Sequence, residues 1–315
     1  MKNPKFLITH AGRFHADDVC AGAILSTLFP DASILRTRDE RIIQSHADIS
    51  IIFDVGRSYD PERGLFDHHM NGAATRENGV IYSSFGLVWK HFGHAYLERI
   101  GVDLSLRKTT FERFDAEVVL PIDMLDTGSL SPSEIGVSAG VSLGALVDGF
   151  NPAFDEVGAD MRDTRYEIAL STVSEMLTHS AMAIESQLRA EITIEKEINS
   201  QWGDPVLELK HAIDAQPVID RFEARHVLLI VQPSSSGGYG LTVARKCAGS
   251  YDNVVDLPAA WAGLSGAELV NVTGVAEATF CHSARFFAAA DDYSAILRLA
   301  YMALADIQAS PEPGI

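Results

Sequence analysis

The amino-acid sequence predicts an α/β fold with a parallel-sheet domain, a helical connector and a second, smaller α+β domain. Short, fully apolar runs alternate with helical stretches in the first part of the chain, which is typical of parallel strands covered on both faces. A long charged stretch without a strand pattern follows, from about residue 160 to residue 198. Strand patterns return after Gly203-Asp204-Pro205, so we expect domains at 1–200 and 201–315.

The first domain alternates predicted strands and helices. Residues 6–9, 33–36 and 49–53 are apolar runs of strand length. Helices are expected at about 19–28, 85–100 and 111–125. Ser83 or Ser84 can cap the second of these, because a serine side chain accepts hydrogen bonds from free N–H groups in a first helical turn.

The second domain shows a different pattern. Residues 206–209, 226–231 and 239–243 resemble strands, and a serine- and glycine-rich turn separates the last two. A final helix is expected at about 293–307, before a proline-containing tail. These signals predict a smaller α+β domain.

Composition excludes several classes of protein. The 315 residues are 47% hydrophobic and carry a net charge of −18, which argues against a partner that is long duplex nucleic acid. We find no secretion signal and no apolar run of roughly 18 residues, so we expect a cytoplasmic protein with no membrane partner. The three cysteines form no zinc or disulfide pattern. The sequence leaves the oligomeric state open and is compatible with a homo-oligomer.

Histidine and aspartate residues cluster where predicted strands end. In open parallel sheets, ligands bind beyond the carboxyl ends of the strands. Each residue alone has a structural explanation; Asp17 or Asp18, for example, would suit the first turn of a helix. The cluster comprises His10, His15 and Asp17 after the first strand, Asp54 after the third, Asp67-His68-His69 downstream, and Asp126 before a Thr-Gly turn.

This donor set predicts a metal centre. Histidine and aspartate without cysteine suit Mn²⁺, Mg²⁺ or Zn²⁺. The donors are too numerous for one tetrahedral site and fit two ions, which need a bridging carboxylate and together clamp a phosphoryl group. The residues therefore indicate a two-metal phosphoester or phosphoanhydride hydrolase.

Several motifs resemble the melanocyte-proliferating-gene (Myg) family of metal-dependent hydrolases, within the DHH phosphoesterase superfamily. They are spread over most of the chain. The motifs are Thr9-His10-Ala11-Gly12-Arg13-Phe14-His15-Ala16-Asp17-Asp18, Arg36-Thr37-Arg38-Asp39, Phe53-Asp54-Val55-Gly56, Phe66-Asp67-His68-His69, Ser83-Ser84-Phe85-Gly86-Leu87-Val88-Trp89, and downstream Leu257-Pro258, Trp261-Ala262-Gly263-Leu264 and Phe280-Cys281-His282.

The resemblance implies a DHH-type domain with two divalent metal ions, usually manganese. One ion would be held by His10, His15 and Asp54. The other would be held by Asp17, Asp54, His68 and Asp126. Asp54 would bridge the ions and, with His69 facing the phosphate, would form the catalytic pair.

The assignments of His15 and Asp126 as metal ligands stay open at this point. The wider superfamily often has aspartate where His15 stands, and the spacing from His10 is one residue longer here. Asp123 could replace Asp126 as a ligand, although Asp126-Thr127-Gly128 matches the superfamily turn better.

The superfamily places a second domain at the substrate. Phosphate contacts are expected from Arg245, Lys246, His282 and Arg285. Phe280 or Phe286 could stack on a base. The alternative is that both phenylalanines are core residues and that Arg245-Lys246 is a solvated surface pair.

The sequence thus predicts a manganese-dependent phosphodiesterase that attacks with water. The resemblance implies a 3′–5′ exonuclease acting on RNA, and the net charge of −18 favours short single-stranded RNA or DNA oligomers as its substrates. A pyrophosphatase or small-nucleotide phosphohydrolase is one alternative. A metal-binding regulatory module with little turnover is another.

Overall fold

The computed structural model describes residues 3–156 and 159–309. The chain divides into two compact units, Met1–Ser186 and Gln187–Ile315, and each contains one five-stranded sheet. The mixed α/β class predicted from the sequence is confirmed. The domain boundary proposed at residue 200 stays a prediction. Within the described ranges, no helix is long and apolar enough to cross a membrane.

The first sheet has the strand order β2-β1-β3-β5-β4 and is parallel except for β4, which runs antiparallel to β5. The strands predicted at 6–9, 33–36 and 49–53 are β1, β2 and β3. The other two have only two residues each, too few to show a periodic pattern. The strands are β1 (Phe6–Thr9), β2 (Ser33–Arg36), β3 (Ser50–Phe53), β4 (Tyr59–Asp60) and β5 (Leu65–Phe66).

Eight α-helices begin within the described residues of the first unit. The stretch predicted as one helix at 111–125 is divided between α4 and α5, with a π-helical turn at Asp115–Val119 between them. The helices are α1 (Ala16–Leu28), α2 (Glu40–His46), α3 (Ser84–Arg99), α4 (Arg107–Phe114), α5 (Leu120–Asp126), α6 (Pro132–Ile135), α7 (Leu143–Asp148) and α8 (Ala159–Ser200).

Helix α1 is buried from its first residue to Leu25, so its polar residues lie inside the unit. The helix is buried because it packs against the first strand of the sheet and against α3, α5 and α7. Helix α1 therefore carries Asp17 and Asp18 into the interior, directly after β1.

The second unit is an α+β structure. Its sheet has the order β6-β7-β8-β10-β9, with only β6 and β7 parallel. The elements are β6 (Val206–Glu208), α9 (Gln216–Arg221), β7 (Leu229–Pro233), β8 (Tyr239–Val243), α10 (Gly266–Thr273), β9 (Ala278–Cys281), β10 (Phe287–Ala290) and α11 (Tyr293–Ala309).

A buried ionic network fixes the start of α3. The Asp123 carboxylate is fully buried and accepts hydrogen bonds from the backbone N–H of Ser83 (3.0 Å) and its Oγ (2.6 Å). Arg76 donates to the same carboxylate through Nε (2.7 Å). Gly86 lies against Asp123, and a Cβ atom there would overlap the carboxylate. A buried charge tolerates little displacement from its partners.

We expect Gly86→Ala to destabilise the protein by about 2 kcal/mol or more, because it forces Asp123 away from charged hydrogen-bond partners. Gly140→Ala is the matched control, since a Cβ at Gly140 meets no atom within 4 Å. Urea unfolding measures both. Equal midpoints for the two variants would contradict the predicted overlap.

Candidate metal centre

The predicted ligands surround one pocket of about 790 Å³ in the first unit. His10 directly follows β1, and Asp54 directly follows β3. Asp17 lies in the first turn of α1, and Asp126 is the last residue of α5. The carboxyl end of the parallel sheet therefore carries the candidate site, as the strand pattern predicts.

Asp54 stands between two histidines. Its Oδ2 lies 3.1 Å from His10 Nε2, while its Oδ1 lies 3.3 Å from His68 Nε2. Ser84 Oγ donates to Oδ1 at 3.1 Å. Asp54 adopts φ 54°, in the left-handed region that aspartate tolerates better than most residues. This backbone conformation after β3 holds a buried carboxylate with its two oxygens facing different donors.

Among the described residues, three sets of side chains could each hold a cation. In every set, one ligand atom from each residue lies within 4.8 Å of the others. Asp54 and His68 each belong to two sets, so the three sets adjoin one another in one site. They are His10 with Asp18 and Asp54; Asp17 with His68 and Asp126; and Asp54 with Asp67, His68 and His69.

The carboxylates disturb one another's protonation. Burial, followed by the neighbouring charges of Asp54 and Asp126, raises the pKa of Asp17 well above the ordinary value. Burial raises the pKa of Asp18 to about 7. Burial would also raise the pKa of Asp54, but the neighbouring rings of His10 and His68 outweigh that effect and lower it. These buried like charges are costly unless cations neutralise them.

Several buried polar atoms at the centre lack hydrogen-bond partners among the described residues. They are both carboxylate oxygens of Asp17, Oδ2 of Asp18 and Nε2 of His68. Buried polar atoms are normally satisfied, so such a group of exceptions needs an explanation. A set of imidazole nitrogens and carboxylate oxygens fits Mn²⁺, Mg²⁺ or Zn²⁺. The residues present therefore fit a divalent metal centre.

His15 and His69 are both exposed but differ in their contacts. The His15 ring lies 5.9 Å from the His10 ring and lines the pocket, yet none of the three sets formed by described residues includes it. Its assignment as a ligand stays a prediction. His69 has 58% of its side chain exposed, and its Nδ1 lies 2.8 Å from Asp67 Oδ1.

The geometry favours Asp126 over Asp123 as the ligand. Asp126 Oδ2 lies 3.3 Å from His68 Nε2, whereas Asp123 is engaged by Ser83 and Arg76.

The sequence reasoning missed Asp18 as a candidate ligand, because a first-turn carboxylate also suits a helix dipole. Its position directly beside Asp17 was the one available signal.

The residues predicted to contact substrate lie in the second unit. Arg245 pairs with Asp214 at 2.7 Å, and Arg285 pairs with Asp256 at 2.5 Å. Lys246 is exposed, and His282 Nδ1 accepts a hydrogen bond from the backbone N–H of Ala284. Phe280 and Phe286 are 38% and 40% exposed, so neither is a core residue. Substrate contact by these residues stays a prediction.

Comparisons with known proteins cover nearly the whole chain. The chain is 26% identical over 309 residues to the MYG1 exonuclease of Homo sapiens, covering 90% of this chain and 81% of the relative. It is 27% identical over 328 residues to a MYG1 protein of Schizosaccharomyces pombe, covering 96% and 98%. The structural alignment with the solved pGpG-specific phosphodiesterase PggH of Vibrio cholerae covers 97% of this chain and 99% of the PggH chain, at 12% sequence identity. Its TM-score of 0.30 is too low to support a conclusion.

A family model decides the assignment. The model MYG1_exonuc, described as an uncharacterised protein family (UPF0160), matches residues 6–304. The match runs from β1 into α11, so it includes every candidate ligand and most of the second unit. The resemblance to the Myg family is thereby confirmed, and the chain belongs to the MYG1 family.

Proposed function

We propose that this chain is a divalent-metal-dependent phosphodiesterase, a 3′–5′ exonuclease on short single-stranded RNA or DNA oligomers. The observation that carries the proposal is the position of Asp54, whose two oxygens face His10 and His68 separately. That arrangement is what a bridging carboxylate between two ions requires. The relatives named MYG1 exonuclease support the reaction class.

The ligands would divide into two groups that share Asp54. His10, Asp18 and Asp54 would hold one ion, with His15 at the exposed side of the pocket. Asp17, Asp54, His68 and Asp126 would hold the other. Manganese suits this oxygen-rich set with imidazole, and Mg²⁺ or Zn²⁺ is the alternative. Bound divalent ions would polarise a phosphoryl oxygen and acidify a water molecule, which supplies the nucleophile at neutral pH.

His69 is suited to contact the substrate phosphate. Its hydrogen bond with Asp67 raises its pKa; burial opposes this, and the nearby charge of Asp54 adds to it. The raised pKa favours the protonated ring, which donates hydrogen bonds to phosphate oxygens. Asp67 also accepts the backbone N–H of His69 at 3.1 Å, so the ring is held in one orientation.

Turnover of a substrate panel with added Mn²⁺ tests the proposal. We expect release of nucleotides from the 3′ end of short single-stranded oligomers. Pyrophosphate as the preferred substrate would favour the alternative hydrolase. Metal binding without turnover of any phosphoester would favour a regulatory module. Either result would contradict the proposed function.

Asp54→Asn should abolish activity and reduce bound metal from about two ions per chain to fewer than one, because a neutral amide is a poor bridge. Asparagine tolerates the left-handed backbone as aspartate does, so the fold should survive. Metal analysis by mass spectrometry measures the loss. Asp48→Asn, at an exposed aspartate outside the pocket, is the control. Unchanged occupancy in Asp54→Asn would contradict the bridging role.

The variants His68→Ala and His69→Ala should differ in how much metal they retain. His68 is 10% exposed with its Nε2 among carboxylates, so its removal should release metal. His69→Ala should retain metal and lower kcat by about 10²-fold or more, the usual effect of losing a transition-state contact. His179→Ala, at an exposed residue of α8, serves as the control. Metal analysis combined with kinetics separates the two roles, and equal metal loss in both variants would refute them.

A further inference from the structure

Two guanidinium groups line the acidic pocket without a carboxylate partner in the described part of the chain. Arg38 Nη2 lies 3.0 Å from His10 Nδ1, and its Nε donates to the carbonyl of Ala11 at 2.9 Å. Arg57 is exposed, and only its backbone is held. By contrast, Arg13 pairs with Asp148, another lining residue. Arg38 and Arg57 are therefore the guanidinium groups among the described lining residues that remain available to an anion.

Arg57 is fixed in place by the residue that also orients His69. Its backbone N–H donates to Asp67 Oδ2 at 2.6 Å, while Asp67 Oδ1 accepts from His69. Arg57 adopts φ 52°, which is unfavourable for a residue with a side chain. Strained backbone of this kind persists where the surroundings determine it, and it is common at binding sites. Asp67 thus couples two groups that can bind phosphate.

Part of the pocket wall is apolar and comes from the segment around α5 to α7. Leu125, Pro132, Ile135 and Ala139 line it. Inorganic phosphate or pyrophosphate offers nothing apolar to such a wall, whereas a nucleobase does. The pocket, at about 790 Å³, is of the size that encloses one small organic ligand.

We propose that Arg38 and Arg57 contact phosphate oxygens of the substrate and that the apolar wall of this pocket contacts a nucleobase. The inference rests on the proposed function and assigns the residues that recognise the phosphate and the base of its substrate. It also moves the phosphate contacts from Arg245 and Arg285, whose charges are compensated by Asp214 and Asp256, to the metal-binding unit.

Calorimetric titration with non-hydrolysable ligands tests the proposal in the Mn²⁺-loaded protein. The first ligand is a dinucleotide phosphonate, in which a methylene group replaces the bridging 3′ oxygen of the phosphodiester. The other two are its abasic form and methylenediphosphonate. We expect the dinucleotide phosphonate to bind about tenfold more tightly than either of the others, since stacking and apolar contact with a base add this much.

Variants test the base contact and the phosphate contact separately. Ile135→Asn should weaken the dinucleotide phosphonate about tenfold and leave the abasic form unchanged. Arg57→Ala should weaken both by about tenfold or more, because both carry the phosphonate. Val137→Asn, at a fully exposed position near Ile135, and Arg41→Ala, whose side chain is 90% exposed and paired with Asp39, are the matched controls.

The outcomes separate this inference from the proposed function. Equal affinity of the wild-type protein for the nucleotide and abasic ligands would overturn the inference, even if oligomers are hydrolysed. An unchanged affinity in Arg57→Ala would overturn its phosphate contact. Tight, base-dependent binding without turnover of the cleavable dinucleotide would uphold the inference and contradict the proposed function.

Discussion

Burial of like charge is the constraint on which the first unit depends. Asp17, Asp18 and Asp54 are almost completely removed from solvent, and Asp126 lies beside Asp17 and His68. Such a cluster opposes folding unless protons or cations neutralise it. The left-handed backbone at Asp54 and the buried start of α1 are both local features that increase this cost. Cations bound between these groups would convert a destabilising cluster into a cross-link between the ends of β1, β3 and α5.

Two aspartates outside the predicted ligand set hold the centre in shape. Asp67 accepts hydrogen bonds from His69 and from the backbone of Arg57, so the groups that would contact phosphate share one support. Asp123 holds Ser83 at the start of α3, next to Ser84, which donates to Asp54. Supporting hydrogen bonds of this kind orient ligands and catalytic groups. The geometry of the site thus depends also on residues outside the predicted ligand set.

The sequence predicted local features well and long-range pairing poorly. The strands β1 and β3 were readable as apolar runs, and the rule that ligands gather at strand ends then placed His10 and Asp54 together. The π-helical turn within 115–119 was not predicted, because a helical pattern does not reveal one extra residue in a turn. The pairing of Arg245 with Asp214 joins residues far apart in sequence. The place of Arg57 in the pocket depends on a hydrogen bond to Asp67 across a turn, which the sequence pattern does not reveal.

Electron paramagnetic resonance of the Mn²⁺-loaded protein tests the central claim most directly, that Asp54 joins two metal ions in one centre. Ions that share a carboxylate lie roughly 3.5–4 Å apart, close enough for their spins to couple. We predict an exchange-coupled spectrum when two equivalents of Mn²⁺ are bound, replaced by isolated-ion signals in Asp54→Asn. A hyperfine sextet of isolated ions in the wild-type protein at full occupancy, or saturation by a single ion, would contradict the shared centre.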